Sequence, residues 1–422
     1  MGSFNNTGIS GLWIGGKSVR RASLGGKVFF EKHDYDFSLT SDKSILSHAD
    51  NESATLTATL TDYNEPVSGE TVIFTADTPF KTNVINDTGT YDFGDYVTID
   101  LSNFKNIDSL STGNDGYLKI GSSSTYLNIW GRAFNSYIFC DYYRNGSEIN
   151  SVKVSLNHPL IIRDGVLYCK KYIGGQQLID YTLDVSDVDL NEWEFSGKVI
   201  GVDVTVDEYW WASDVTDSNG EATVGYVSKG TGDLNIKCEV VDRMLVSETY
   251  EVQDCKWYDP MTSESNHWNI PSAVRSSSIF GYSNDGWKFG NASSYSIIKS
   301  DVSADYPFSV EYTITDNNPN NNPAPIFVIG DSNYVGITVT YRSGKVIDFI
   351  QSGAGATASQ HTINYPLPST LRFELTSSSI KLYVNDVLLT EKGHSLTGTK
   401  YLRFDTGSKR MCQIKDFKVK PL

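Results

Sequence analysis

Between residues 53 and 62 the chain reads "SATLTATLTD", with Ala54, Leu56, Ala58 and Leu60 set against Thr55, Thr57, Thr59 and Thr61. Successive side chains of an extended backbone point to opposite sides, so this alternation predicts a strand with one core face and one wet face. Shorter strands are predicted at 37–40 and 70–76, and "NEPVSG" is a turn by its Pro and Gly placement. Further on come "YVTIDL", "GYLKIG", "YLNIWG", "SYIFCDYY", "SVKVSL", "PLIIRDGVLYCKKY" and "WEFSGKVIGVDVTV". The last third repeats the pattern with "DGWKFG", "YSIIKS", "FSVEYTIT", "VGITVTYR", "STLRFELTSSSIKLYVNDVLLTEK" and "CQIKDFKVKP". No stretch carries the 3.6-residue repeat of an amphipathic helix, and the prediction is an all-β protein.

Composition agrees. The 422 residues include 25 Tyr, 19 Phe and 8 Trp with only 20% charged residues, a balance suited to pleated, half-buried surfaces. A net charge of −16 excludes nucleic acid as a natural partner, since phosphate binding needs Lys and Arg, and it disfavours anionic membranes. No apolar run is long enough to cross a bilayer, so no membrane insertion is expected. The first ten residues lack the basic and hydrophobic parts of a secretion signal, which predicts another route out of the cell, such as assembly into a virus particle followed by lysis. The five cysteines (Cys140, Cys169, Cys238, Cys255, Cys412) have no CxxC or zinc-ligand spacing and read as thiols of a reducing cytosol, with a Cys238–Cys255 bridge as the minor alternative.

Catalytic chemistry has little to stand on. The six histidines lie in different predicted loops or edges, with no HxH or HExxH among them, no G-x-S-x-G elbow and no P-loop. The cluster "DVSDVDLNE" would offer Asp184, Asp187 and Asp189 to calcium, but it lacks the spacing and Gly of an EF-hand, and a solvated loop is favoured. Expectation is therefore of no catalytic residues, no metal and no cofactor. Binding chemistry is better represented. Sugar rings present C–H faces that stack on aromatic rings and hydroxyls that pair with short polar side chains. Residues 255–296 hold that mixture, and Trp268, Tyr282, Asn284, Asp285 and Trp257 are the candidate ligand-binding residues. Trp257 and Tyr258 also sit at a predicted domain junction, Trp287 reads as a core position, and "NNPNNNPAP" (317–325) reads as a polar loop.

Three resemblances complete the reading. "DYNEPVSGETVIFTAD" and "TDSNGEATVGYVSKGTGDLNIKCEV" resemble the two halves of a bacterial immunoglobulin-like domain of the invasin/intimin type, here separated by a long insertion. The hairpin "LRFELTSSSIKLYVNDVLL" followed by "IKDFKV" resembles concanavalin A-like lectin and glucanase sandwiches, although the E-x-D-x-x-E run of such glucanases does not occur. A fainter echo between 159–206 and 369–419 predicts a second sandwich of that type in the insertion. "GLWIGGKSVRRASLGGKVFF" resembles stretches that begin or punctuate phage tail and other virion structural proteins, with Trp13, Ile14, Val28 and Phe29 as anchoring residues.

The fold implied is an Ig-like β-sandwich with an inserted β-sandwich and a C-terminal concanavalin A-like jelly roll. Its expected domains are a β-hairpin anchor (1–32), a split Ig-like domain (33–78 and 212–253), the insertion (79–211) and the jelly roll (254–422). The function implied is a non-enzymatic virion protein, a tail or head fibre that attaches to a cell-surface carbohydrate. It would be made in the host cytoplasm, bind other virion proteins through its N-terminus and form a homo-oligomer. A cellular surface adhesin or a carbohydrate-active enzyme is the alternative.

Overall fold

The computed structural model describes residues 12–14, 17–19, 21–24, 27–31, 33–102, 117–130, 137–173, 177–196, 203–240, 243–277, 280–291, 296–317, 326–330, 336–342, 346–351, 359–362, 367–394, 398–406 and 410–422. The chain is all-β and divides into two compact units. One comprises residues 1–37, 60–220 and 235–248; the other comprises 38–59, 221–234 and 249–422.

In the first unit the N-terminal backbone forms two hairpins rather than one. Leu12–Ile14 pairs with Lys17–Val19, and Arg21–Leu24 with Lys27–Glu31. The side chains of Trp13, Ile14, Val28 and Phe29 lie outside what the structure describes. Beyond them one antiparallel sheet runs in the order Gly89–Thr90, Glu192–Ser196, Tyr117–Gly121, Tyr126–Trp130, Tyr137–Arg144, Ser147–Ser155, Val166–Ile173, Leu160–Arg163, Tyr96–Asp100, Val204–Val215, Thr71–Ile85. Its inward residues, among them Leu118, Ile129, Ile138, Val154, Ile162, Trp193 and Val206, share a single core. Two tight turns set its register: Asn145-Gly146 and Asp164-Gly165 all have φ between +50° and +75°, the conformation that Asn-Gly and Asp-Gly hairpins adopt readily. At Gly165 a Cβ would also fall 2.6 Å from the Ser186 side chain. Pro79 and Tyr209 are Cα partners on the paired strands Thr71–Ile85 and Val204–Val215, and the ladder slips at Tyr209.

The second unit contains the alternating segment read first. Ala54, Leu56 and Ala58 are buried, and residues 53–59 pair antiparallel with Glu221–Val227. Ile45–Ser47 pairs in parallel with Tyr250–Cys255. The C-terminal part is a sandwich. One sheet has the order Gly281–Ser283, Gly286–Asn291, Arg410–Pro421, Phe308–Asn317, Ser369–Leu375, Ser379–Val384, Val387–Gly393, with Trp257–Asp259 also paired to Arg410–Pro421. The other has the order Trp268–Asn269, Ser296–Ala304, Lys400–Thr406, Ile326–Gly330, Gly336–Arg342, Val346–Gln351, Ser359–Thr362. Phe289, Phe308, Tyr312, Phe327, Phe373, Phe404 and Phe417 fill the space between the sheets. All five cysteines are buried and none forms a disulfide.

Candidate functional site

The short strand Trp257–Asp259 alternates buried, half-buried, buried. Its pairing with Arg410–Pro421 (Trp257 opposite Val419, Asp259 opposite Phe417) turns Trp257 and Asp259 into the sandwich and leaves Tyr258 on the opposite side. Tyr258 then lines a cavity of about 560 Å³ together with Asp259, Pro260, Ser263, Glu264, Ser265, Asn266, Lys43, Ile45, Asp50 and Glu52. Every one of these residues belongs to the second unit.

Hydrogen bonds hold this wall in place. Glu52 accepts from Lys43 Nζ at 3.1 Å and from the Ser47 amide at 2.9 Å. Asp50 accepts from Ser47 Oγ at 2.5 Å and faces His267 Nε2 at 3.1 Å, while His267 Nδ1 lies 2.8 Å from Asp301. Glu264 is paired with Arg275, and the Tyr258 hydroxyl donates to Asp416 at 3.3 Å. Asp259, only 5% exposed, accepts from the Met261 amide at 2.7 Å and from Trp268 Nε1 at 3.1 Å. Burial raises its carboxyl above the ordinary range despite these two donors, which favour the charged form.

A pH dependence follows. Because the folded pKa exceeds the ordinary value of 3.8, the folded state binds more protons just above that pH, and Asp259 lowers stability as pH rises through the window. Asp259→Asn should remove this contribution. The difference in unfolding midpoint between wild type and variant should widen with pH upward from about 3.8 and then level off; parallel curves would refute it.

The residues singled out from sequence are distributed differently from the expectation. Trp257 and Trp268 are 0% and 4% exposed, so neither offers a face to a sugar ring; this corrects their reading as stacking platforms. They belong to a chain of ring contacts: Trp257 to Trp268 at 4.9 Å, Trp268 to Trp287 at 5.9 Å, and Trp287 to Tyr282 at 5.9 Å. Tyr282 is half-buried, packed nearly parallel to Trp287. Asn284 and Asp285 are exposed at the tip of the hairpin that carries Tyr282 and are absent from the cavity lining. That hairpin needs Gly286, whose φ is +111° and where a Cβ would meet the Ile414 carbonyl at 2.2 Å. The loop "NNPNNNPAP" lies, beyond its first residue, outside the described residues. Asp184 and Asp189 accept from nearby amides and Asp187 from Tyr142 and Arg144, and no metal-binding group of His, Cys, Asp and Glu is present among the described residues.

What sequence reasoning missed is the contribution of 43–52. Nothing local links Lys43, Asp50 and Glu52 to residues 258–266. The only local signal was "WYDP", where alternation after a Trp implies that Tyr258 and Asp259 face opposite ways.

No family model matches the chain, and no curated protein is similar to it in sequence. Solved structures do resemble it in part. A carbohydrate-binding module from Bacillus subtilis matches at 14% identity and TM-score 0.30, over 38% of this chain and 99% of the module. An endo-β-1,3-glucanase from Pyrococcus furiosus matches at 13% identity and TM-score 0.30, over 39% of this chain and 93% of the enzyme. A galectin from Caenorhabditis elegans matches at 13% identity and TM-score 0.25, over 32% and 95%. The expectation of a non-enzymatic chain is corrected by these matches. Glucanases stand among them beside a binding module and galectins.

Proposed function

We propose that the chain recognises carbohydrate, and that the cavity lined by Tyr258 is where it does so. The observation that carries this is the lining itself. One aromatic ring, three carboxylates (Asp50, Glu52, Glu264), one ammonium, two hydroxyls and an amide line a space of about 560 Å³, with the buried Asp259 in its wall. A ligand suited to it presents many hydroxyls, which donate to the carboxylates and accept from Lys43 and Asn266, and one apolar face for Tyr258.

Tyr258→Ala in the full chain should weaken binding of a glucan or chitin hexasaccharide at this cavity by about tenfold or more, read by calorimetry, with the thermal midpoint little changed. Unchanged affinity would remove the cavity from the argument.

A hydrolytic role for the same cavity is the second reading: carboxylates line it, and Asp259, held above the ordinary carboxylate range by burial, lies in its wall. Release of reducing ends from a β-glucan by wild type, abolished in Asp259→Asn, would establish it. The narrower reading, a virion fibre or adhesin with a split Ig-like stalk and an anchor at 1–32, is supported only by the sequence resemblances at 11–30, 62–77 and 216–240.

A further inference from the structure

His267 lies one residue before the strand Trp268–Asn269, whose pairing sets Trp268 opposite Ser300 and brings His267 beside Asp301. The Asp301 amide donates to the His267 carbonyl at 3.0 Å, and the His267 amide donates to Ser265 Oγ at 3.2 Å, so the root of the side chain is fixed. The imidazole is 19% exposed and stands at 71° to the Trp257 indole, centres 5.7 Å apart. A second segment reaches the ring through the turn that follows Ile45–Ser47. There the Asn51 amide donates to the His48 carbonyl at 3.0 Å, Asn51 takes a φ of +53°, and the turn presents Asp50 to His267.

Both ring nitrogens meet carboxylates: Nδ1 is 2.8 Å from Asp301 and Nε2 is 3.1 Å from Asp50. A neutral imidazole has one N–H, so it can serve one of these carboxylates while turning a lone pair toward the other. The imidazolium donates to both. The other charged groups of the packed segments have partners of their own. Asp50 takes Ser47 Oγ on its second oxygen, Glu52 takes Lys43 and the Ser47 amide, and His48 Nδ1 meets the Ser228 carbonyl. Glu264 is paired with Arg275, and Asp259, pushed up by burial and to a smaller extent by Asp50, takes the Met261 amide and Trp268 Nε1. The proton on His267 therefore decides whether Asp50 stays tied to the segment that contributes Ser263, Glu264, Ser265 and Asn266 to the same cavity.

We propose that His267 is a proton-operated clasp on the Tyr258 cavity: charged, it ties the 43–52 wall to residues 263–266, and neutral, it releases one carboxylate and the two segments loosen. The proposal rests on the reading of this cavity as the saccharide site and adds its regulation. The geometry described, with a carboxylate at each nitrogen, is that of the charged ring. Histidine is the side chain whose charge ordinarily changes between about pH 5 and 8, so saccharide should bind more tightly on the acid side of neutrality. By reciprocity, binding saccharide should take up a proton.

Calorimetry on the full chain with a glucan or chitin hexasaccharide tests this. Affinity should fall about fivefold or more between pH 5.5 and 8, with proton uptake on binding seen as a dependence of the heat on the buffer's ionisation enthalpy. His267→Gln should flatten the profile and abolish the uptake. His48→Gln and Asp259→Asn, whatever their affinities, should keep the slope, which separates His267 from the neighbouring titratable groups. A second readout needs no saccharide: an imidazolium quenches an adjacent indole, so wild-type tryptophan emission should rise between pH 5.5 and 8 relative to His267→Gln. Asp50→Asn, which removes one of the two carboxylates favouring the charged ring, should move that rise to lower pH. Asp50→Asn also keeps the test valid should His267→Gln not fold. A flat wild-type affinity, a slope that survives in His267→Gln, or an emission rise unmoved in Asp50→Asn overturns the clasp. Absence of saccharide binding at every pH instead removes the cavity reading, and the Asp50→Asn shift then decides the clasp alone.

Discussion

Trp268→Ala is expected to lower the stability of the C-terminal sandwich by about 3–5 kcal/mol, the range for removing a buried Trp or Phe. The indole is 4% exposed and lies within 6 Å, centre to centre, of Trp257, Trp287, Phe404 and Phe417. Those rings come from both sheets, so the space left by the indole cannot collapse without moving strands of each. Its N–H also leaves Asp259 with one donor fewer. Trp268→Phe separates the two effects, since it keeps most of the apolar contact and loses only the hydrogen bond, worth about 1.5–3 kcal/mol to a charged acceptor. Urea unfolding followed by fluorescence of the remaining tryptophans measures both. A Trp268→Ala chain that keeps its midpoint but loses saccharide binding would restore the stacking role and refute the packing one. Tyr258→Ala is the contrast, a change that should cost affinity and little stability.

The core of this molecule was legible wherever alternation ran long enough. Ala54, Leu56, Ala58 and Leu60 are buried as their spacing requires, and Trp287 and Phe289, two apart in "DGWKFG", are both buried. Trp268 gave no such signal, because its strand is only Trp268–Asn269 and a two-residue strand has no period. Its polar neighbours suggested a loop, while its burial is decided by rings far away in sequence. The cavity was illegible for a related reason: Lys43 and Glu52 meet Tyr258 only through the parallel pairing of Ile45–Ser47 with Tyr250–Cys255. The aromatic outward face of the first unit's sheet, where Trp130 stacks on Phe139 and Tyr126 on Tyr143, was in principle readable. In "YLNIW" and "YIFCDYY" one phase of the alternation is apolar and the other is aromatic except at Asn128 and Asp141, which a strand with one wet face does not need.

The second large effect is expected at Asp254, and it ties stability to the candidate site. Asp254 is fully buried, and its carboxylate collects Tyr226 Oη and Ser228 Oγ at 2.5 Å each, the amides of Lys229 and Gly230 at 2.9 and 3.1 Å, and Thr231 Oγ1 at 3.3 Å. Burial and the adjacent carboxylate push the Tyr226 hydroxyl far above its ordinary range, so it stays a donor at any working pH. Asp254 lies on the strand that pairs with Ile45–Ser47, and the loop it gathers returns to the same place: the Ser228 amide donates to the Glu52 carbonyl and its carbonyl meets His48 Nδ1. One carboxylate thereby joins three chain segments, of which 43–52 forms a wall of the cavity. Asp254→Ala strands these donors without acceptors and should cost about 3–5 kcal/mol. Asp254→Asn, which keeps the shape but turns an amide N–H toward donors, should cost less, yet more than about 1 kcal/mol. Saccharide affinity at the Tyr258 cavity should fall in parallel, because Lys43, Asp50 and Glu52 lose their support. An Asp254→Ala chain that unfolds within about 1 kcal/mol of wild type would show that the loop 226–231 is held by its pairing alone.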